Sequence, residues 1–347
     1  MKKTANPRPH KNVSSSEESQ LFDELKVASK KVQNLFNKML GSGYNVGVLY
    51  KAARHLTSAG GKMLRPYLVL SACDIVGGRE EDALPSAAAV ELLHTFTLIH
   101  DDIMDNDKVR RGVQTVHTRW NMPIAILAGD LLFAKVYQAI TQFTDPSKVS
   151  PKKIVRTVNT LADVTIKICE GQEQDMAFST RERVTEEEYI EMISKKTSNL
   201  FKASAEIGGI VGGGSEEQIK RLGFYAYYSG IAFQIVDDVL GLVADEKKLG
   251  KPVGSDIREG KKTLPIIHAL QNLPPQQRKR LIQLSKSKNQ EATQLKKLIV
   301  SAGSIHYAMN KARRYNEKAI KQLEIFSKCD AKNALINFSK ILVSRNF

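Results

Sequence analysis

Two clusters of aspartate residues lie within apolar segments of the chain. The first occupies residues 101–105, with the sequence DDIMD, and the second is Asp237-Asp238. On a helix, Asp101 and Asp105 are one turn apart and share a face, where two like charges repel. A divalent cation resolves this repulsion, because Mg²⁺ is commonly held by one or two carboxylates together with substrate phosphates. The spacing therefore predicts a magnesium site, although an acidic helix end facing solvent would give the same string.

The surroundings of both clusters favour the metal site. Residues 87–96 precede the first cluster and consist of good helix formers without proline, and the apolar segment FQIV (233–236) precedes the second. The clusters are far apart in the chain, so two helices can face each other across the interior of a bundle, where metal sites are often built. Two acidic pairs on apolar helices are difficult to explain as solvated surfaces.

Basic residues occur where an anionic ligand would need them. Lys62 and Arg65 follow the glycine pair 60–61, and Arg110-Arg111 closely follows the first acidic cluster. Further basic residues surround the second cluster, namely Lys195 and Lys196, which precede Thr197, and Lys251 and Lys261. Arginine binds phosphate oxygens as a fork and lysine binds them as a point charge. Together the residues predict a cavity with carboxylates for a metal and cations for a polyphosphate.

The elements that must position these residues are predicted to be helices. Apolar residues recur at helical spacing, and capping-box patterns begin at Ser15, Thr185 and Ser215. Short alternating strand patterns and sequence repeats are not visible. We therefore expect a single all-α domain over residues 15–347, an antiparallel helical bundle, after a disordered basic tail at residues 1–14. Nucleotide-binding glycine motifs are also missing from the sequence.

Composition narrows the class of partner. The 347 residues carry 52 Lys and Arg against 37 Asp and Glu, a net charge of +15. This excess favours an anionic partner: a nucleic acid, a membrane surface or a phosphorylated ligand. The three cysteines lie far apart without a CxxC pair, which is typical of a reducing compartment. With neither a secretory signal nor 18 uninterrupted apolar residues, the expected location is the cytoplasm.

The motifs and their order resemble those of the trans-isoprenyl diphosphate synthases, the polyprenyl synthetase family. The resemblance extends from about Leu21 to the C-terminus and rests on eight segments: GGKMLRP (60–66), HDDIMDND (100–107), RRGVQTVH (110–117), ILAGDLLF (126–133), GQEQD (171–175), KTSNL (196–200), GIAFQIVDD (230–238) and GKPVGSDIREGKKTLP (250–265). It implies an all-helical bundle around a deep central cavity, usually homodimeric. Two positions depart from the usual pattern: Gly241 stands where many members have a third aspartate of the second motif, and Gln114 replaces a proline.

The resemblance also implies roles for single residues. Mg²⁺, with Mn²⁺ as a substitute, would be bound by Asp101, Asp105 and Asp237. The implied catalytic set is Asp101, Asp102, Asp105, Lys196, Asp237 and Asp238. The residues that would bind the allylic diphosphate are Arg110, Lys196, Thr197, Gln234, Lys251 and Lys261. Those that would bind isopentenyl diphosphate are Lys62, Arg65, His94 and Arg111. Water or Asp245 would compensate for Gly241.

Product length is the finest point that the resemblance addresses. In archaeal-type members, an aromatic residue five positions before the first motif, here Phe96, goes with a C20 product. Phe96 would then be the floor beneath the growing chain, with Thr97 small enough to let the chain pass. On an ideal helix, however, Phe96 points well away from Asp101, and packing in the helix core explains a phenylalanine equally well. We expect geranylgeranyl diphosphate, with farnesyl diphosphate or a longer product as alternatives.

Three other functions share part of the pattern. A class I terpene cyclase would have the helical fold and the first acidic motif, but Asp237-Asp238 and the GGKxxRP segment disfavour it. A non-catalytic subunit of a synthase tends to lose the acidic motifs that are intact here. A basic helical nucleic-acid-binding protein would account for the charge but not for the aspartate pairs, and we expect no nucleic-acid partner. Transient contact with a membrane surface for product release is also expected.

Overall fold

The computed structural model describes residues 15–41, 47–243, 260–286 and 292–344. Within these ranges the chain is almost entirely helical, as predicted. The α-helices are Ser15–Leu40 (α1), Val48–Ser58 (α2), Leu64–Asp74 (α3), Glu80–Met104 (α4), Val116–Arg119 (α5), Met122–Gln142 (α6), Pro151–Thr180 (α7), Glu186–Ile193 (α8), Asn199–Gly212 (α9), Glu216–Val243 (α10), Leu264–Asn272 (α11), Pro275–Lys286 (α12), Ala292–Ser301 (α13), Ser304–Gln322 (α14) and Asp330–Ser344 (α15). A π-helix, Ser194–Ser198, joins α8 to α9, and a 3₁₀ turn, Leu323–Ile325, follows α14.

The β-structure of the described residues is one short hairpin. Val109–Arg110 (β1) pairs antiparallel with Val113–Gln114 (β2), between α4 and α5. Arg111 and Gly112 form its turn, and both have positive φ, at 53° and 75°. This conformation is uncommon for arginine, so the tertiary contacts of Arg111 must stabilise it.

Two of the three predicted capping boxes are confirmed by their hydrogen bonds. The Thr185 hydroxyl accepts from the Glu188 amide at 3.2 Å, and the Glu188 carboxylate accepts from the Thr185 amide at 2.8 Å. Ser215 and Gln218 make the same reciprocal pair at the start of α10. The third predicted start coincides with the beginning of α1 at Ser15. The predicted tail, residues 1–14, lies outside the described residues.

The helices that carry the candidate residues pack at the centre of the bundle. α4 lies between α3 and α6, while α9 contacts α3 and α10. Small buried residues on α4, including Ala87, Ala88 and Ala89, allow its neighbours to approach closely. Gly208 on α9 lies so near the Val69 carbonyl of α3 that a Cβ would collide with it. This packing fixes the C-terminal end of α4, where the first aspartate cluster lies.

α6 has two unlike faces. It is long and apolar enough to cross a membrane by length and composition alone. One face, with Ala125, Ala128 and Leu132, is buried in the bundle, mainly against α4. The other face leaves Met122 and Leu127 about half exposed, at 53% and 50%. The buried face explains much of the apolar composition as that of a core helix, and the exposed face is a surface that a partner could cover.

Candidate active site

The first aspartate cluster lies at the C-terminal end of α4. Asp101 is in the last turn, and the backbone amide of Asp105 donates to its carbonyl at 2.8 Å. Carboxylates are unfavourable here, because the helix dipole places partial negative charge at the same end. Burial raises the pKa of Asp101 above its ordinary value, and the charge of Asp105 acts in the same direction. The cluster therefore needs cations close to it.

Two lysines supply positive charge to this cluster from other parts of the chain. Lys261 Nζ lies 3.2 Å from Asp105 Oδ2. Lys196 Nζ lies 2.6 Å from Asp175 Oδ2, and its charge lowers the pKa of Asp101. Burial alone would lower the pKa of Lys196, but Asp101 and Asp175 outweigh it and the pKa is raised. The structure thus brings together four of the predicted residues, Asp101, Asp105, Lys196 and Lys261.

Asp102 has different surroundings from its neighbour Asp101. Its side chain is only 1% exposed, and it accepts a hydrogen bond from Nε of Arg110 in the hairpin. Nη2 of Arg110 also lies 3.2 Å from Asp107 Oδ2. Burial alone would lower the pKa of Arg110, yet Asp102 and Asp107 raise it. Asp102 and Arg110 therefore tie the hairpin to the end of α4, and both were predicted to act on substrate.

The second aspartate cluster, on α10, shows the same division between neighbours. Asp238 is buried and accepts hydrogen bonds from Tyr189 Oη at 2.6 Å and Gln234 Nε2 at 2.8 Å. Thr197 in turn donates to Gln234 Oε1 at 2.9 Å. Asp237 is only partly buried. Its negative charge acts on Arg65 and partly offsets the burial that lowers the pKa of that arginine. In each pair one aspartate, Asp102 or Asp238, is buried among protein groups, and the other is only partly buried.

A small cavity lies beside the second aspartate cluster. Its volume is about 100 Å³, and its lining includes Asp175, Lys196, Thr197, Gln234, Asp238 and Lys261 but no residue of the first cluster. Two of its lysines also reach the first cluster, because Lys261 binds Asp105 and the charge of Lys196 acts on Asp101. That the two clusters face one common site stays a prediction. The cavity is lined by acceptors, ammonium groups and a hydroxyl, which suits a ligand with several charged oxygens.

A third group of charges surrounds Arg65 and Arg111. Nη1 of Arg111 donates to the Leu56 carbonyl at 3.1 Å and to the Gly60 carbonyl, so it holds the glycine pair 60–61 in place. Its Nη2 lies 3.7 Å from the buried carboxylate of Glu91. Burial lowers the pKa of Arg65 to about 10, and its buried Nε has no hydrogen-bond partner among the described residues. These guanidinium groups form a second cluster of positive charge, which Asp237 reaches electrostatically.

His94 belongs to this third group. Burial lowers its pKa well below the ordinary value, and the charges of Arg65, Arg111 and Arg110 lower it further. The imidazole is therefore neutral at physiological pH and offers hydrogen bonds rather than charge. Lys62, from the same predicted set, lies on the exposed surface of the loop before α3.

The two residues proposed to set product length lie one turn N-terminal to the aspartates. The Phe96 ring packs on Phe133 of α6, with centroids 5.1 Å apart, and on His100 at 4.8 Å. The Thr97 hydroxyl donates to the His94 carbonyl at 2.8 Å. These contacts show what supports Phe96, and they are compatible with both the floor and core packing. Lys251 and Asp245 lie outside the described residues.

Sequence reasoning missed Asp175, Glu91 and Tyr189. Asp175 ends the GQEQD segment, which was noticed as a motif without a role for its aspartate. Glu91 lies three residues before His94 on α4, a spacing that places both on one helix face. Its burial raises its pKa, and an acidic residue in an apolar helix was the available signal. Tyr189 gave no comparable signal, because its partner Asp238 is 49 residues away in the chain.

The carboxylates present fit a magnesium ion. Among the described residues, no three His, Cys, Asp or Glu side chains are grouped closely enough to hold a metal on their own. Mg²⁺ does not require such a group, because it usually combines one or two carboxylates with substrate phosphates and water. Asp101 and Asp105 would offer two hard oxygen ligands on one helix face, and a bound cation would offset the burial that raises the pKa of Asp101.

Comparison with known proteins agrees with this site. A model of the polyprenyl synthetase family matches residues 46–302. The short chain isoprenyl diphosphate synthase of Methanothermobacter thermautotrophicus is 44% identical over 298 residues, which cover 86% of this chain and 90% of that protein. The geranylgeranyl diphosphate synthase of Saccharolobus solfataricus is 44% identical over 281 residues, covering 80% and 84%. The crystal structure of geranylgeranyl pyrophosphate synthetase from Pyrococcus horikoshii superposes with a TM-score of 0.88 at 42% identity, covering 95% of this chain and all of that one.

The family match covers most of the chain, and the similar structure has the same all-helical architecture. The residues of the matched segments are those that form the two aspartate clusters and the cationic groups around them. Sequence, fold and site geometry therefore agree that this chain belongs to the polyprenyl synthetase family.

Proposed function

We propose that this chain is a prenyltransferase that condenses isopentenyl diphosphate with an allylic diphosphate, head to tail, to give an all-E short-chain prenyl diphosphate. The observation that carries the proposal is the position of Lys196 and Lys261, which line a small cavity together with Asp238 and also lie close to the first acidic cluster. A separate pair of arginines, Arg65 and Arg111, supports a second diphosphate subsite nearby. The relatives named as isoprenyl and geranylgeranyl diphosphate synthases support the same reaction.

In this proposal each group of residues has one task. Lys196 and Lys261 bind the allylic diphosphate, and Arg65, Arg111 and neutral His94 bind isopentenyl diphosphate. Asp101, Asp105 and Asp237 would hold Mg²⁺, which would stabilise the negative charge that grows on the departing diphosphate. The ammonium groups stabilise the same charge and are already in place, because Asp175 and Asp105 hold them.

The bond changes follow from that electrostatic arrangement. The allylic C–O bond breaks, and its electron pair leaves with the diphosphate. The double bond of isopentenyl diphosphate then attacks the allylic carbocation and forms the new C–C bond. The new carbocation loses a proton to the released diphosphate, which leaves an E-alkene that is five carbons longer. The carbocation must be protected from water until the new bond has formed.

A direct assay tests the proposed reaction. The purified chain is incubated with radiolabelled isopentenyl diphosphate, an allylic diphosphate and Mg²⁺, and the products are extracted and separated by chain length. We expect labelled products that are longer than the primer by whole five-carbon units. A terpene cyclase would consume the allylic substrate without incorporating label, and a non-catalytic subunit would leave both substrates intact. Either outcome would contradict the proposal.

We further propose that the main product is geranylgeranyl diphosphate, with Phe96 as the floor beneath the growing chain. Phe96→Ala should then shift the products beyond C20, because removing the ring opens space below the tail. The matched control is Phe224→Ala, which removes a partly buried phenylalanine that also packs on an aromatic ring, Tyr228 on α10. An active Phe96→Ala variant with an unchanged product distribution would assign Phe96 to core packing.

A homodimer, a transient membrane contact and a cytoplasmic location are also part of the proposal. The exposed apolar face of α6, with Met122, Ile126 and Leu127, is suited to a second copy of the chain. A net charge of +15 favours brief contact with an anionic membrane surface, where an amphiphilic product could be released. The cysteines are all free thiols, which supports a reducing compartment.

A further inference from the structure

The π-helix Ser194–Ser198 separates the side chains of two adjacent lysines. Lys195 lies on its outer side, 3.1 Å from Glu191 and 3.4 Å from Glu170. Lys196 points inward, with its ammonium 2.6 Å from Asp175. A π-turn contains one residue more than an α-turn and so rotates the side chains that follow it, and such turns occur frequently at functional sites. The position of this turn therefore determines where Lys196 points.

α7 packs directly on the backbone of that turn. Gly171 on α7 is buried, and a Cβ at this position would overlap the backbone nitrogen of Lys196. The same Cβ would lie 2.8 Å from Lys195 Cβ and 2.9 Å from the Lys195 carbonyl carbon. The nearest atoms are mostly backbone, which cannot rotate away as a flexible side chain could. Only glycine allows α7 to approach the π-turn this closely.

Three residues within about one turn of α7 contact the π-turn. Glu170 binds the ammonium of Lys195, Gly171 contacts the backbone, and Asp175 binds the ammonium of Lys196. Gly171 and Asp175 are four residues apart, so they lie one turn apart on the same face of α7. The distance between α7 and the π-turn at Gly171 therefore also sets the distance between Asp175 and Lys196.

We propose that Gly171 is a positioning residue for the reaction: by allowing contact between α7 and the π-turn, it places Lys196 beside Asp175 and Asp101. The inference rests on the proposed function, because Lys196 is there a ligand of the allylic diphosphate. A close-packed glycine is not unusual by itself, and Gly78 is equally close to the backbone of Gly212, between the α3–α4 turn and the end of α9. What distinguishes Gly171 is that the backbone it touches belongs to a residue of the site.

The test is a double-mutant cycle between Gly171→Ala and Lys196→Ala. In the otherwise wild-type chain, Gly171→Ala should lower kcat/KM for the allylic diphosphate about tenfold, since a displacement near 1 Å at a positioned group is costly. KM for isopentenyl diphosphate should stay within about twofold, because Arg65 and Arg111 are held by other contacts. In the Lys196→Ala background, Gly171→Ala should reduce kcat/KM by less than about twofold, because the group that it positions is already missing.

Gly78→Ala is the matched control, because it introduces a backbone clash of similar severity away from the site. It should lower the melting temperature without the selective loss for the allylic substrate. Asp175→Asn preserves the shape of the side chain and is combined with Lys196→Ala in the same way. If Gly171→Ala does not fold, this second cycle tests whether contact with α7 positions Lys196. Losses that multiply fully with Lys196→Ala, or the same kinetic pattern in Gly78→Ala, would overturn the inference. A wild-type chain that incorporates no isopentenyl diphosphate would instead refute the proposed function.

Discussion

Asp101→Ala should reduce kcat at least a hundredfold, about 2.7 kcal/mol of barrier, while the protein remains folded. The loss is expected because the substitution removes a proposed magnesium ligand at the point where negative charge develops. Stability should be unchanged or higher. Burial raises the pKa of Asp101, so its ionised form is disfavoured in the folded state, and that cost increases as the pH rises through its range. The measurements are steady-state kinetics and thermal unfolding followed by circular dichroism.

Asp163→Ala is the appropriate control, because Asp163 is an exposed aspartate on α7. It should change neither activity nor melting temperature. If Asp101→Ala retains more than about a tenth of the wild-type kcat, roughly 1.4 kcal/mol of barrier, Asp101 is not an essential metal ligand. If the Asp101→Ala variant unfolds instead, the Asp101 carboxylate has a structural role, and nearby cations already balance the negative charge at the end of α4.

Asp102→Ala should have the opposite effect on stability, although the two residues are adjacent. We expect the free energy of unfolding to fall by about 3–5 kcal/mol, because Arg110 would be left as a largely buried charge without this partner. The Asp102 side chain is 1% exposed and that of Arg110 is 18% exposed, so solvent cannot replace the interaction readily. Urea unfolding of Asp102→Ala, Arg110→Ala and the double variant measures this change in the free energy of unfolding.

The double variant Asp102→Ala/Arg110→Ala supplies the control for this pair. It should be less destabilised than the sum of the single variants, since neither charge is then left alone. If Asp102→Ala lowers the free energy of unfolding by less than about 1 kcal/mol, Asp107 alone can neutralise Arg110. Asp102 would then be assigned to catalysis and not to structure. Together, the two aspartate variants separate the metal-binding side of the DDIMD segment from its structural side.

Helical periodicity was sufficient to predict the fold class. Apolar spacing and capping signals specify helices, and both depend only on residues close together in the sequence. The reciprocal hydrogen bonds between Thr185 and Glu188 are an example. A common site for the two aspartate clusters could also be expected, because an acidic pair in an apolar helix requires a partner, and Lys261 lies beside Asp105 while lining a cavity with Asp238. The different surroundings of Asp101 and Asp102 could not be predicted. They depend on Arg110, whose position follows from the path of a short hairpin.

The π-turn is a second feature that local patterns did not reveal. Residues 194–198 have no composition that would distinguish them from an ordinary helical segment, and the turn is held by α7, more than twenty residues earlier in the chain. Gly171 was visible only as part of a motif, because the reason for a glycine lies in the atoms that approach it. Long-range packing of this kind is not encoded in spacing along one helix.

The neutral state of His94 affects how substrate recognition depends on pH. With its pKa far below the ordinary range, His94 stays neutral near neutral pH, and the two arginines beside it stay protonated. A moderate fall in pH therefore leaves the charge of these three groups in the proposed isopentenyl diphosphate pocket unchanged. What varies is the ligand, whose last phosphate proton is gained or lost near pH ~6. At these three groups pH thus acts through the substrate, and acidification weakens recognition by reducing the negative charge that the arginines can bind.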